Sequence, residues 1–366
     1  MWSQTAVTHR LGIQYPIIQG PFGGGLSSTE LTLAISEAGG LGSYGVHHLS
    51  PADIRELGKS LHQQTQKPFA LNLWVSNQDH GTASFSTEKF QQALKIFQPY
   101  YQKLGVKLPT QPERFGYNFE DQIDALLDVR PAVFSFVYGI PSREILQECK
   151  RRNIVTIGAI TTLDEALVME SAGVDLLVAT GFEAGGHRVS FLRSSEDSLT
   201  GTFALIPTVT AKVKIPVIAA GGIADAKGIA AAMILGAQAV QIGTAFLACN
   251  ESNASRIHKE KLFSDEAKYT ALTRAFSGRL ARGIRNQFVD DWQTKTAQIL
   301  PYPVQSWFTN SFKQTAMEQS RADVMSLWAS QISPLLKHKQ AVELFNELVR
   351  ETDNIFTHDF QSTARL

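Results

Sequence analysis

The chain has 366 residues, more than one average domain of ~100–200 residues, which suits two domains or one large α/β barrel with additions. Lys and Arg total 34 and Asp and Glu total 34, so the formal net charge is zero. A balanced chain has no overall field that attracts nucleic acid or acidic lipid, so we expect no nucleic-acid partner and no membrane association.

The two cysteines and the apolar runs indicate the compartment. Residues 1–10 lack the apolar stretch of a signal peptide, and no apolar run reaches the ~20 residues of a transmembrane helix. Cys149 and Cys249 are too few for a disulfide framework. No set of His, Cys, Asp and Glu has the spacing of a metal site, so we expect no metal. These features predict a soluble, cytoplasmic, globular α/β protein.

Eight short apolar segments predict β-strands. They are continuous in Val, Ile, Leu and Phe rather than alternating, which is typical of parallel strands buried on both faces. The predicted strands are 15–19, 41–45, 68–73, 132–137, 154–159, 175–179, 216–220 and 239–243. Helical patterns lie between them at 28–38, 51–64, 142–152, 163–172, 202–213 and 226–235. This alternation favours a (β/α)8 TIM barrel over an open sheet.

Two segments exceed a minimal barrel. Residues 76–130 carry helical patterns at 87–104 and 119–128, and the tail carries further patterns, clearest at 320–331 and 340–350. We therefore predict that 1–75 and 131–249 form the barrel. Residues 76–130 and 250–366 then form a mainly helical second domain that caps the barrel mouth, with part of the tail available to complete the barrel.

Two strand ends rich in glycine point to a phosphate site. The seventh predicted strand ends in PVIAAGGI at 216–223 and the eighth in AVQIGTAF at 239–246. The loops after these strands often bind phosphate in barrels, through bare backbone amides. Gly221, Gly222 and Gly243 allow close approach of the backbone, and Thr244 adds a hydroxyl. The alternative is that these glycines only form tight turns.

Three further signals lie at the same predicted face. His187 follows a Gly-Gly turn in GFEAGGHR, where it is either a proton donor or acceptor for a bound ligand, or a loop histidine bonded to backbone. Asn72 is a polar residue inside an apolar strand, so it needs a partner in the barrel interior or on a ligand. The glycines at 23–25 let a flat group lie against main chain, or simply form a flexible loop.

The motifs, taken in order, resemble those of the nitronate monooxygenases, formerly called 2-nitropropane dioxygenases. The matching segments are PIIQGP at 16–21, FVYGIP at 136–141, EAGGH at 183–187, AAGGI at 219–223, QIGTAF at 241–246, FSGR at 276–279, ARGIRN at 281–286 and SLWASQ at 326–331. Many flavin barrels share any single glycine motif. The ordered set, with the EAGGH loop and the late Arg-rich segment, is far more specific.

The resemblance implies an FMN-dependent barrel that oxidises alkyl nitronates, such as propionate 3-nitronate, with O2 to a carbonyl compound and nitrite. It implies that His187 is the catalytic residue. The candidate FMN contacts are Gly23, Gly24, Asn72, Thr180, Gly185, Gly186, Gly221, Gly222, Gln241, Gly243 and Thr244. Candidate substrate-pocket residues are Tyr101, Tyr302 and His48.

This chain departs from the family pattern in two places. Thr180 stands where the family usually has Gln, so its shorter side chain either loses a flavin hydrogen bond or recruits water. The segment VHHLS at 46–50 replaces the small residues expected there, which would reshape the pocket.

Two other functions remain open from the sequence. One is a related flavin barrel that reduces an enoyl thioester with NAD(P)H, which would share the phosphate loops and the EAGGH loop. The other is a flavin-binding protein without turnover. The late FSGR and SLWASQ segments favour the nitronate group.

Overall fold

The structure is a computed structural model that describes residues 1–75 and 85–359. Its main sheet has eight parallel strands in the order β1-β9-β8-β6-β5-β4-β3-β2. Their bounds are β1 (Ile17–Gln19), β2 (Gly42–Gly45), β3 (Phe69–Trp74), β4 (Val133–Val137), β5 (Val155–Ile160), β6 (Leu176–Thr180), β8 (Val217–Ala220) and β9 (Ala239–Ile242). A bridge between Ile18 and Leu41 joins the two edges of the sheet. The predicted TIM barrel is confirmed.

Fourteen α-helices accompany these strands within the described residues. They are α1 (Ala6–Leu11), α2 (Thr29–Glu37), α3 (Pro51–Gln64), α4 (Thr87–Leu104), α5 (Phe119–Val129), α6 (Arg143–Arg151), α7 (Leu163–Ala172), α8 (Thr202–Thr210), α9 (Ala226–Ile234), α10 (Thr244–Leu247), α11 (Arg256–Leu262), α12 (Gln287–Gln293), α13 (Val304–Glu318) and α14 (Ala341–Asn354). Hydroxyl N-caps start several of them, as with Ser50, which accepts the Asp53 amide ahead of α3.

The barrel has one core inside and another between its strands and outer helices. The interior core includes Ile18 and Val133, and α1 adds Val7 and Leu11 to it. The outer core includes α5, which packs on α3, and α14, which packs on α2 and α9. These two helices, from the predicted cap ranges 76–130 and 250–366, therefore lie in the outer layer of the barrel.

A third hydrophobic cluster covers the barrel mouth. Its aromatic side chains come mainly from α4, α12 and α13, as in the stack of Phe97 on Phe308, whose ring centroids are 4.8 Å apart. A small antiparallel sheet lies beside it, formed by β7 (Gly186–His187), β10 (Thr270–Thr273) and β11 (Ala281–Ile284). The sequence did not predict this sheet. The division of the chain into two domains stays a prediction, because the outer core and the cluster over the mouth both contain residues of the tail.

The predicted helix at 320–331 is wrong. Only Ala322–Val324 is helical, as one 3-10 turn, and the chain then runs extended across the barrel. The backbone of this segment bonds to distant partners instead: the Ile284 amide donates to the Leu327 carbonyl, and the Ser330 amide donates to the Thr244 hydroxyl. Tertiary hydrogen bonds thus override the local helical pattern.

Across residues 1–75 and 85–359, no helix is both long and apolar enough to span a membrane. The same residues contain no group of three or more His, Cys, Asp or Glu side chains arranged to hold a metal ion.

Candidate active site

A cavity of about 540 Å³ opens at the C-terminal ends of the barrel strands, the face where TIM barrels bind their ligands. Its volume lies in the range of small-molecule and cofactor sites. Among the described residues that border it there is no Asp or Glu, and Lys313 brings a positive charge. Arg114 also borders it, but its guanidinium is paired with Asp121 at 3.5 Å. The cavity is therefore suited to an anionic ligand.

The loops after β8 and β9 present hydrogen-bond donors to this cavity. Gly221 and Gly222 have φ angles of 103° and 70°, a left-handed backbone that favours glycine. In the part of the chain that the structure describes, neither amide donates to a protein acceptor. The Thr244 hydroxyl accepts the Ser330 amide at 3.0 Å, so its own proton is available to a ligand. These donors, beside Gly243, can converge on one phosphate group.

The loop between β6 and β7 is held in place by hydrogen bonds of two charged side chains, Glu183 and Arg188. The Glu183 carboxylate accepts the Thr202 amide and hydroxyl at 2.9 Å. Arg188 is fully buried, and its guanidinium donates to the Gly181 carbonyl at 2.6 Å and to the Ser198 carbonyl at 2.8 Å. Such charge-assisted bonds fix the path of the loop that carries Gly185, Gly186 and His187.

His187 borders the cavity from β7, where it pairs with Ala281 of β11. Its Nε2 lies 2.7 Å from the Ser277 hydroxyl. The ring contacts Trp74 and Trp328 at centroid distances of 5.1 and 5.2 Å. Burial, followed by the positive charge of Arg279, lowers the pKa of His187 to about 3. The imidazole is therefore neutral at physiological pH.

Trp74, at the end of β3, is the centre of an aromatic wall. The His47 ring stacks on it with centroids 3.9 Å apart, and Tyr138 and Tyr302 contact it at 5.0 and 5.1 Å. The Arg279 guanidinium lies 3.7 Å from the Tyr138 ring centroid and 4.4 Å from that of Tyr302. Burial and nearby positive charges hold the pKa of His47 well below its usual value. The wall is thus aromatic and, apart from Arg279, uncharged.

Three polar residues of the strands lie at the floor of the cavity. Asn72 is buried in β3, and its Nδ2 donates to the Ser135 hydroxyl at 3.0 Å, which supplies the partner that an interior Asn requires. Thr180 and Gln241 border the same cavity from β6 and β9. The structure therefore brings together these three candidate flavin contacts.

The loop after β1 closes the other end of the cavity. Gly23, Gly24 and His48 border it, together with Lys313 of α13. The Lys313 ammonium donates to the Gly24 carbonyl at 2.9 Å, and burial lowers its pKa. No carboxylate lies within ion-pair distance of it among residues 1–75 and 85–357. Burial, with the charge of Lys313, lowers the pKa of His48 to about 4.

Tyr101 is the candidate that the structure does not place at the site. It is fully buried in the cluster over the mouth, and its hydroxyl bonds to the Phe308 carbonyl at 3.2 Å and to Ser311. Its ring faces that core because α4 packs against α13. This placement corrects the expectation that Tyr101 borders the substrate pocket.

The tail supplies the residues that sequence reasoning missed. Ser277, Lys313, Trp328 and Ser330 all border the cavity. Three of these four lie in the FSGR and SLWASQ segments, which drew notice only as family motifs. Lys313 lies in no motif that the sequence analysis identified. Trp74, which also borders the cavity, directly follows the predicted third strand, and its position at the strand end could have identified it.

Comparisons with known proteins agree with this barrel. The profile of the nitronate monooxygenase family matches residues 4–351. A probable nitronate monooxygenase from Staphylococcus haemolyticus is 37% identical over 359 residues, which cover 98% of this chain and 99% of the relative.

Two solved structures are similar over nearly the whole chain. A nitroalkane oxidase from Streptomyces ansochromogenes is 32% identical with a TM-score of 0.86, over 96% of this chain and 99% of that one. FabK from Thermotoga maritima is 28% identical with a TM-score of 0.74, over 96% and 97% of the two chains.

The fold and these matches together define a flavin-dependent oxidoreductase built on a TIM barrel. Within that class, the chain belongs to the nitronate monooxygenase family.

Proposed function

We propose that this enzyme binds FMN and oxidises alkyl nitronates with O2 to a carbonyl compound and nitrite. The observation that carries the proposal is the charge of the cavity, which combines a neutral His187 with Lys313 and has no bordering carboxylate among the described residues. A nitronate is an anion, so this cavity attracts the substrate more than its neutral conjugate acid.

The residues present fit a flavin mononucleotide. The free amides of Gly221 and Gly222 and the Thr244 hydroxyl form one cradle for one phosphate group. Asn72, Thr180 and Gln241 lie at the floor, next to the aromatic wall around Trp74. Bound FMN would supply the redox chemistry, by accepting electrons from the substrate and reacting with O2.

His187 borders the cavity in which we expect the nitro group and its neighbouring carbon to bind. It either holds the nitro oxygens by a hydrogen bond or takes the proton from the carbon of a neutral nitroalkane. Trp74 and Trp328 pack on its ring and exclude water from the reacting atoms. The substrate would sit beneath α13, with Tyr302 and His48 beside it.

Propionate 3-nitronate is the substrate that we propose on the basis of charge. It carries a carboxylate as well as the nitronate, and the half-buried Lys313 ammonium has no carboxylate partner among the described residues. An ion pair with the substrate would satisfy a cation whose one hydrogen bond within the described part of the chain is to the Gly24 carbonyl.

The test is nitrite release by the purified protein. We expect a yellow protein whose released cofactor is FMN by mass, and nitrite formation from propionate 3-nitronate in air without NADPH. His187→Asn should keep FMN bound and lose most nitrite release from a neutral nitroalkane such as nitroethane. Bound flavin without nitrite would instead indicate a flavin-binding protein. Anaerobic bleaching by NADPH, but not by propionate 3-nitronate, would identify the enoyl-thioester reductase.

A cytoplasmic location is part of the same proposal. Cys149 and Cys249 are free and buried, and burial raises the pKa of each thiol to about 12. Reduced thiols of this kind are compatible with a reducing compartment.

A further inference from the structure

The Ser277 hydroxyl lies between the catalytic candidate and the backbone of its own turn. It is buried, and its Oγ is 2.7 Å from His187 Nε2. The Arg279 amide donates to this Oγ at 3.3 Å, and the Arg279 carbonyl oxygen lies 3.2 Å from it. The Ser277 hydroxyl is therefore within hydrogen-bond distance of three polar atoms.

Counting protons and lone pairs assigns the direction of each bond. A serine hydroxyl has one proton to donate and two lone pairs that accept. The Arg279 amide fills one lone pair, and only the hydroxyl proton can serve the Arg279 carbonyl, because a carbonyl cannot donate. The remaining lone pair is then filled by a proton on His187 Nε2. This is the arrangement in which every position on Oγ is used.

The ring proton of His187 decides what the other nitrogen can do. A neutral imidazole has a single N–H, and His187 is neutral because it is buried beside Arg279. If Nε2 holds that proton, Nδ1 has a bare lone pair. No residue within 1–75 and 85–357 bonds to Nδ1, which leaves this nitrogen for a ligand in the cavity that His187 borders.

We propose that Ser277 is a positioning residue that holds His187 as the Nε2–H tautomer, so that Nδ1 is the base for neutral nitroalkanes. In that step the C–H bond next to the nitro group breaks, its proton goes to Nδ1, and its electron pair forms the C=N bond of the nitronate. Neutral nitroalkanes then join preformed nitronates as substrates. This inference rests on the proposed function.

Spectroscopy of the tautomer tests the inference without turnover. In FMN-loaded enzyme with 15N-labelled histidine, the His187 signals are assigned by difference from His187→Asn. We expect a protonated Nε2 and a bare Nδ1, and Ser277→Ala should convert this to a mixture of tautomers. A proton on Nδ1 in the unaltered enzyme, or an unchanged spectrum in Ser277→Ala, would overturn the proposal.

Kinetics with a matched pair of substrates gives the second test. Because ethyl nitronate needs no proton removal, Ser277→Ala should lower kcat/KM for nitroethane by ~10- to 100-fold and that for ethyl nitronate by less than ~3-fold. Ser277→Thr, which keeps the hydroxyl, should retain the nitroethane activity. Ser311→Ala, which removes a hydroxyl bonded to Tyr101 and the Phe308 carbonyl outside the cavity, is the control.

The two ways of failing are distinguishable. Equal losses on both substrates in Ser277→Ala would make Ser277 a structural residue and refute its positioning role. An unaltered enzyme that releases no nitrite from ethyl nitronate would refute the proposed function itself, while the 15N spectrum would still report the tautomer.

Discussion

Replacing Lys313 with methionine is the sharpest test of how the cavity recognises substrate. The ammonium uses one proton on the Gly24 carbonyl and has two more to donate. Methionine has a similar length and no charge. If Lys313 binds the substrate carboxylate, the variant loses a hydrogen bond to a charged group, which contributes ~1.5–3 kcal/mol.

That free energy sets the size of the expected effect. At ~1.4 kcal/mol per factor of ten, kcat/KM for propionate 3-nitronate should fall by ~10- to 150-fold. Ethyl nitronate has no carboxylate, so its kcat/KM should change by less than ~3-fold. Both values are measured from initial rates of nitrite release in air. Lys150→Met, at an exposed position on α6, is the control and should change neither.

Stability provides an independent readout of the same substitution. Burial lowers the pKa of Lys313 below its value in the unfolded chain, so the charged ammonium destabilises the fold at neutral pH and this penalty fades only as pH rises toward the unfolded pKa. Lys313→Met should therefore raise the urea midpoint. The reasoning is refuted if both substrates lose activity equally, or if the variant is less stable than the parent.

Three further predictions follow from buried groups. Gly185→Ala would put a Cβ 2.6 Å from the Ala329 carbonyl carbon, so we expect a loss of ~1–3 kcal/mol in urea unfolding and weaker FMN retention; an unchanged midpoint would contradict this. Burial lowers the pKa of His187 to about 3 and that of His258 to about 4, below their unfolded values. Each should therefore reduce stability by ~1.4 kcal/mol per pH unit as the pH falls from ~6.5 toward those values. His258→Gln should remove one such increment from the slope of the unfolding free energy against pH, and an unchanged slope would count against it. Arg188→Met removes the donor of the Gly181 and Ser198 carbonyls. It should lower the free energy of unfolding in urea by ~3 kcal/mol or more. A smaller loss would indicate that water replaces the guanidinium.

The sequence by itself determined the barrel and half of the site. Parallel strands buried on both faces leave a local signature, the continuous apolar run, and it located all eight strands. Their C-terminal ends must meet at one face of a barrel, so the strand pattern alone was enough to place Asn72, Gly221 and Gly222 together. Thr180 and Gln241 became candidates only through the family resemblance.

Only the tertiary structure decided what covers that face. Ser277, Trp328 and Lys313 reach the cavity from the tail through contacts between residues far apart in sequence, which no local pattern encodes. Residues 320–331 have a helical pattern, but most of them are not helical because the backbone bonds to β11 and Thr244 instead. The orientation of Tyr101 depended on which neighbour α4 packs against. Local periodicity specifies which face of a segment is apolar, but the partner that buries this face is chosen by the whole fold.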